Sequence, residues 1–417
     1  MKDGIYLIKK WQIGTPDPAA ADILSRQGGL SVLTAKALAS RGIDTIEKAA
    51  DFFGQNDDEQ YSDPFLIRDM DKACDAVSEA VENGTLICIY GDYDCDGVTA
   101  TAVLSGYLTD IGGNVMTYIN EREEGYGMNS GAVRKLAEQG VGLIVTVDNG
   151  IAAVAEAELC KELGIALVIT DHHQPGETLP DALAVVDPHR ADCPSIYKDL
   201  CGCGLALKLI AAMEGGDMDC AVEQFSDLAA VATVADVVPL TGENRALVRD
   251  GLHYLENTEN MGLRALIGKA GLKAPYTSTS AAFGLAPRIN AAGRIGSPLD
   301  ALSLLTEEDP DEAEALAEKI PFHLVTSEIL LEEPDGGFIL AWHLRKRFPE
   351  LRIVLISAVS FRTGFHFDLS DPEARAWICA DEILDKEIRF EQLEHLLVRF
   401  FRREKPEERR EEEKNGK

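Results

Sequence analysis

The sequence predicts an α/β protein: a parallel-sheet domain with helical regions before and after it, followed by a small partial α/β segment near the C-terminus. Three observations carry this reading. Short apolar runs alternate with helical stretches between residues 86 and 186. The runs are apolar throughout, as strands of a parallel sheet covered on both faces must be. Aspartates and histidines stand directly after several of them, where the ligand crevice of an open parallel sheet lies.

Taken in order, residues 1–75 read as an N-terminal region of short helices, with Leu33, Leu38, Phe52 and Phe53 as packing anchors and Gly28, Gly29 and Gly42 as breaks. The sheet domain spans 76–240. Its strands are expected at 86–90, 115–119, 143–147, 166–169 and 184–186, with helices between them such as 100–109 and 152–163. From about 203 the pattern turns helical, giving a helical extension over 241–320 that ends in an acidic helix at 311–319. Strands at 324–327, 353–356 and 382–384 then alternate with helical segments in the partial α/β segment, 321–402, and 403–417 is a charged, solvated tail.

Composition narrows the function classes. With 46% apolar and 27% charged residues in 417, the chain can bury a core in two or three domains. Its nine cysteines lack metal-ligand spacing, and the tightest pair, Cys201 and Cys203, is C-x-C, so reduced cytosolic thiols are expected. No apolar run approaches the roughly 20 residues that span a bilayer, and Met1-Lys2-Asp3-Gly4 opens no secretory leader. A cytoplasmic protein with no membrane partner is expected. The net charge of −31 argues against gripping nucleic acid with the whole surface, since Lys and Arg supply most of that affinity. Part of the excess lies in the acidic clusters, where bound cations would invert the field, so a nucleic-acid substrate stays open.

The clusters are Asp92-Tyr93-Asp94-Cys95-Asp96-Gly97, Asp148-Asn149-Gly150 and Asp171-His172-His173. A strand that ends in three carboxylates spaced two apart is expected to project them onto one face, which is unfavourable without a positive charge between them. Singly, an aspartate there is an ordinary helix cap and a histidine an ordinary surface residue. Their conjunction at the strand ends of one sheet favours divalent cations. Carboxylates with imidazoles suit Mn²⁺ or Mg²⁺. The donors exceed what one ion needs, so two ions sharing a bridging carboxylate fit, an arrangement used for phosphodiester hydrolysis. Neither a P-loop nor a G-x-S-x-G is present.

These residues resemble the DHH phosphoesterases, and within them the RecJ-type single-stranded-DNA exonucleases. Residues 90–99 look like the first motif, Asp148 the second, Asp171-His172-His173 the third and Asp236 in Ala235-Asp236-Val237-Val238-Pro239-Leu240 the fourth. Residues 122–129, 200–209, 242–245 and Pro287-Arg288-Ile289-Asn290-Ala291-Ala292-Gly293-Arg294 are similar to the RecJ branch, so the likeness covers about 1–320. It implies a DHH fold in which Asp92 and Asp94 hold one Mn²⁺ or Mg²⁺, Asp96, His172 and Asp236 the other, and Asp148 bridges them. It further implies a catalytic set of Asp148, His172, His173 beside the scissile phosphate, and Asp171 orienting it. Arg288, Asn290, Arg294 and the backbone of Gly202 and Gly204 would bind substrate, the arginines through guanidinium forks. The implied activity is 5′-to-3′ hydrolysis of single-stranded DNA in repair and recombination.

The sequence departs from that pattern after Lys319. Neither the family's second substrate-binding domain nor an OB module is recognisable, which predicts weak substrate binding and low processivity. The segment instead resembles the latter half of a response-regulator receiver: 323–330 looks like the phosphoacceptor strand, 334–337 the turn after it, and Ser357 and Lys386 match the switch hydroxyl and the lysine. Glu328 stands where that family has aspartate. Two further readings stay open: hydrolysis of short oligonucleotides or cyclic dinucleotides, and a metal-binding remnant with a partner-binding role.

Overall fold

A computed structural model describes residues 16–54, 60–120, 124, 125, 127–295 and 297–319, then 324–329, 336–347, 351–358, 377–386 and scattered positions to 400. The chain divides into two units, Met1–Ile320 and Pro321–Lys417.

The first unit is built on a five-stranded parallel sheet of β1 (Ile87–Gly91), β2 (Val115–Ile119), β3 (Leu143–Val147), β4 (Ala166–Thr170) and β5 (Ala184–Val186) in the order β2-β1-β3-β4-β5. Side-chain alternation explains the unbroken apolar runs. Ile87 and Ile89 of β1 join one core while Cys88 and Tyr90 join the core on the opposite face. The strand order turns back on itself between β1 and β3, so the helices that follow these strands leave on opposite faces. A crevice opens at their carboxyl ends.

The helix after β1, Cys95–Asp110, starts five residues before the expected 100–109, because the Asp94 side chain caps it. Behind it pack Gly202–Met213, Met218–Ala235 and Gly242–Tyr254, as the helical pattern after residue 203 predicts. Further along, a five-residue π turn, Ala281–Leu285, leads into the helix Ala286–Ile295. Three N-terminal helices, Pro18–Arg26, Val32–Ala39 and Ile46–Phe53, enclose a small core of Leu24, Ala35, Leu38 and Ala49, with Phe52 against it. Leu38 and Phe52 pack as expected. Leu33 does not: the buried stripe of its helix runs through Ala35 and Leu38, three apart, and leaves Leu33 80% exposed. Phe53 is likewise exposed.

In the second unit β6 (Leu324–Glu328), β7 (Arg352–Ser357) and β8 (Glu382–Asp385) form a parallel sheet in chain order, with the helix Gly336–Arg347 between the first two. Asp381 ties the unit together, accepting from the Ile353 amide at 2.8 Å and from the Arg345 guanidinium at 2.5 Å. The Glu328 side chain, Pro334, Asp335 and the tail 403–417 lie outside the described residues.

Candidate metal centre

The first aspartate cluster is not an extended strand. The chain leaves β1 at Gly91, and Asp94 becomes the cap of the next helix: the amides of Asp96 and Gly97 donate to its Oδ1 at 3.0 and 3.1 Å. Gly97 permits the sharp turn, since a Cβ there would lie 2.6 to 2.8 Å from the Asp92 backbone. Asp94 is therefore a helix cap whose carboxylate also stands close to other carboxylates. The cap aims Asp94 at Asp92 and Asp148, and ligand atoms of these three lie within 4.8 Å of one another.

Asp96 sits in the first turn of that helix, fully buried. Its two oxygens accept the amides of Gly202 at 2.6 Å and Cys203 at 2.9 Å, so it occupies the N-terminus of the helix Gly202–Met213. This corrects the expectation that the Gly202 and Gly204 amides hold substrate phosphate. The Gly202 N–H is taken by Asp96, and that of Gly204 by Cys201 Sγ at 3.4 Å. Gly202 is glycine for another reason: a Cβ there would meet Asp148 Cβ at 2.4 Å.

Asp148 follows β3 in a left-handed backbone conformation, φ 61°, tolerable for aspartate but strained. Asn149 locks it there, donating to the carbonyls of Tyr90 at 3.1 Å and Val147 at 2.9 Å. The Asp148 carboxylate meets His172 Nε2 at 3.0 Å. His172 also lies 3.7 Å from Asp96 and, through Nδ1, 3.8 Å from Asp236, the C-cap of Met218–Ala235. Ligand atoms of Asp96, His172 and Asp236 form a second group within 4.8 Å, and Asp148, His172 and His173 a third.

Asp171 works behind this layer. Buried after β4, it accepts the amides of Ile151 at 2.8 Å, His172 at 2.7 Å and His173 at 3.1 Å, and binds the His173 ring through Nδ1 at 2.7 Å. Burial alone would raise this carboxyl; the bond from His173, its charge and the amides outweigh burial and hold it below its ordinary value. The same bond raises His173.

Without cations the cluster is electrostatically costly. Burial first, then Asp94, pushes Asp92 up to about 7; burial, then Asp96 and Asp94, does the same to Asp236. Burial and the surrounding aspartates push Asp148 well above its usual range. Burial holds His172 below its ordinary value, as suits a neutral imidazole ligand. Asp92 Oδ1 is buried with no hydrogen-bond partner among the described residues. An orphaned carboxylate oxygen, oxygen and imidazole donors, and like charges packed this closely fit a pair of Mn²⁺ or Mg²⁺ ions.

Two of the remaining substrate-binding residues of the sequence reading face the protein itself. Arg288 is buried, its Nη1 donates to the carbonyl of Gly284 at 2.7 Å, and burial lowers it to about 10. Asn290 Oδ1 accepts the amide of Cys95 at 2.8 Å, so the structure turns it to the protein's own backbone. The Arg294 side chain lies outside the described residues, as do Arg122, Glu123 and Tyr126.

One residue escaped the sequence reading. Asp187 directly follows β5, fully buried beside the Asp171 strand end, with Oδ2 lacking a partner among the described residues; burial pushes it up to about 7. Its signal was available, an aspartate after an apolar run, but a three-residue strand gives it little weight.

Comparison with known proteins agrees with this geometry. The DHH family, N-terminal domain, matches residues 86–233. A manganese-bound crystal structure of exonuclease RecJ superposes with a TM-score of 0.56 at 31% identity, over 77% of this chain and 80% of the other. The chain belongs to the DHH family, on its RecJ branch. RecJ from Thermus thermophilus in complex with Mn²⁺ superposes with a TM-score of 0.62 at 25% identity, over 93% of this chain and 66% of that one. The single-stranded-DNA-specific exonuclease RecJ of Bacillus subtilis (strain 168) is 43% identical over 313 residues, 75% of this chain and 39% of that protein. The chain thus spans about two fifths of that RecJ relative's length.

Proposed function

We propose that this chain hydrolyses phosphodiester bonds of single-stranded DNA from the 5′ end, with two Mn²⁺ or Mg²⁺ ions. The observation that carries it is the meeting of Asp92, Asp94 and Asp148 with Asp96, His172 and Asp236 through the 3.0 Å contact between Asp148 and His172. In this reading the first three residues hold one ion, Asp96, His172 and Asp236 the other, and Asp148 lies between. When bound, the ions polarise the phosphoryl group and ease ionisation of the attacking water. Asp171 fixes the His173 ring by Nδ1 and favours its protonated form, which would let Nε2 donate to a phosphate oxygen. Asp171 also anchors the loop after Asp148 through the Ile151 amide, joining both strand ends into one support. Arg294 carries the substrate's phosphate in this reading, Arg288 being turned to the Gly284 carbonyl.

The metal-bound RecJ neighbours support the nuclease reading over a cyclic-dinucleotide one. A cytoplasmic location fits cysteines that form no disulfide among the described residues, where also no helix is long and apolar enough to cross a membrane. The second unit reads as the latter half of a receiver; its parallel strands in chain order support this, with Ser357 and Lys386 at adjacent strand ends.

The test compares turnover, with Mn²⁺, of a long 5′-labelled single strand, a dinucleotide and a cyclic dinucleotide. Stepwise loss of nucleotides from the 5′ end of the long strand is expected. Preference for the cyclic compound, or no hydrolysis at saturating Mn²⁺, contradicts the proposal.

A further inference from the structure

We propose that Asn290, nearly 200 residues from the aspartate cluster in sequence, is a positioning residue of the metal centre; the inference rests on the reading of that cluster as a metal site. The first amides of a helix have no partner within it. In Cys95–Asp110 the amides of Asp96 and Gly97 go to Asp94 Oδ1, and that of Cys95 goes to Asn290 Oδ1 at 2.8 Å. Two side chains thus satisfy three consecutive amides, and one of the two is a ligand.

The division matters because Asp94 has two tasks. Its carboxylate caps the helix while facing Asp92 and Asp148. An unsatisfied Cys95 N–H, next to Asp94 in the chain, would compete for that carboxylate and turn it from the ions. Asn290 removes the competitor. It does so with a neutral oxygen, where an aspartate would add another negative charge to a cluster already under repulsion.

The helix that bears Asn290 is built to hold it in place. A π turn closes i to i+5 bonds, widening the helix and offsetting the face that follows. Here Ala281–Leu285 forms such a turn directly before Ala286–Ile295, and Arg288 Nη1 donates back to the Gly284 carbonyl inside it at 2.7 Å. Gly284 itself sits against Leu272, with less than 3 Å left for a Cβ. The register of Asn290 against the aspartate loop is therefore fixed from a part of the chain that contributes no ligand.

Three readouts on the intact chain test this. In Asn290→Ala, Mn²⁺ affinity measured without DNA falls about 10- to 100-fold, the Cys95 amide exchanges hydrogen faster, and KM for single-stranded DNA at saturating Mn²⁺ stays within about twofold of the parent. Asn290→Asp keeps an acceptor at the same place and retains Cys95 protection; it also serves if the alanine variant fails to fold. Unchanged Mn²⁺ affinity with a raised KM makes Asn290 a substrate contact and overturns the proposal. So does unchanged Cys95 exchange in the alanine variant, or a parent that binds no Mn²⁺. A parent that binds Mn²⁺ but cleaves no DNA sinks the nuclease reading alone, because neither metal affinity nor amide exchange requires turnover.

Discussion

Asp171 shows how much a residue behind the aspartate cluster can decide. It gathers three amides and one imidazole, so replacing it disturbs the loops after β3 and β4 together. Asp171→Asn retains an acceptor but loses the charge that favours protonation of His173. The expected result is a kcat lowered about 10- to 100-fold with Mn²⁺ affinity less affected, read from single-turnover hydrolysis beside a metal titration. Equal loss in both would make Asp171 a ligand. Asp148→Asn, by contrast, removes a carboxylate common to two of the close groups, and Mn²⁺ binding and hydrolysis should fall together by more than the ~100-fold typical of an outer partner. The aspartates after β1 and β3 and the Asp171-His172-His173 run were legible in the sequence because each follows an apolar run, and strand ends of one parallel sheet must meet; Asp236, at the end of a helix, was reached only through the resemblance. Asn290 was named there as a substrate contact; its bond to a backbone amide 195 residues away is what no spacing rule announces.

At the scale of elements, the site depends on two helices whose starts are capped by its own aspartates. Asp94 caps Cys95–Asp110, and Asp96 occupies the start of Gly202–Met213. The helix dipoles offset part of the repulsion among the carboxylates. The close approach requires Gly202, so Gly202→Ala should cost about 1–3 kcal/mol of stability through overpacking against Asp148 and weaken Mn²⁺ binding with it. Gly204→Ala is the control. Its Cβ would come no nearer to any atom than 3.3 Å, to the flexible end of Leu200, and denaturant midpoints should separate the two variants clearly. The reading of Gly202 and Gly204 as a phosphate cradle failed for a definite reason. A glycine-rich helix start offers amides to any anion, and the sequence could not show that a carboxylate of the same protein occupies it. The five strands were readable to within a residue at each end, since apolar runs bounded by glycine and aspartate leave little choice of register. Leu33 misled because an apolar residue beside a break looks like an anchor, whereas the periodicity through Ala35 and Leu38 decides the buried face.

For the whole molecule, the cluster sets a pH dependence opposite to common acid denaturation. Asp92 and Asp236 are raised from 3.8 to about 7, so between about pH 4 and 7 the metal-free fold binds more protons than the unfolded chain. Stability then falls as pH rises through that window. Thermal melts of EDTA-treated protein should show a lower Tm at pH 8 than at pH 6, with Mn²⁺ removing the difference and Asp92→Asn reducing it. A Tm that rises over the same interval without metal would contradict this. All six proposed ligands and the cores that support them lie in Met1–Ile320, and a chain ending at residue 320 should keep the Mn²⁺ affinity of the full chain. The most direct test of the central claim is anomalous diffraction from crystals soaked in Mn²⁺. Two peaks about 3.5–4 Å apart are expected, one beside Asp92 and Asp94, the other beside Asp96, His172 and Asp236, with Asp148 between; a single peak, or peaks away from these side chains, would contradict it.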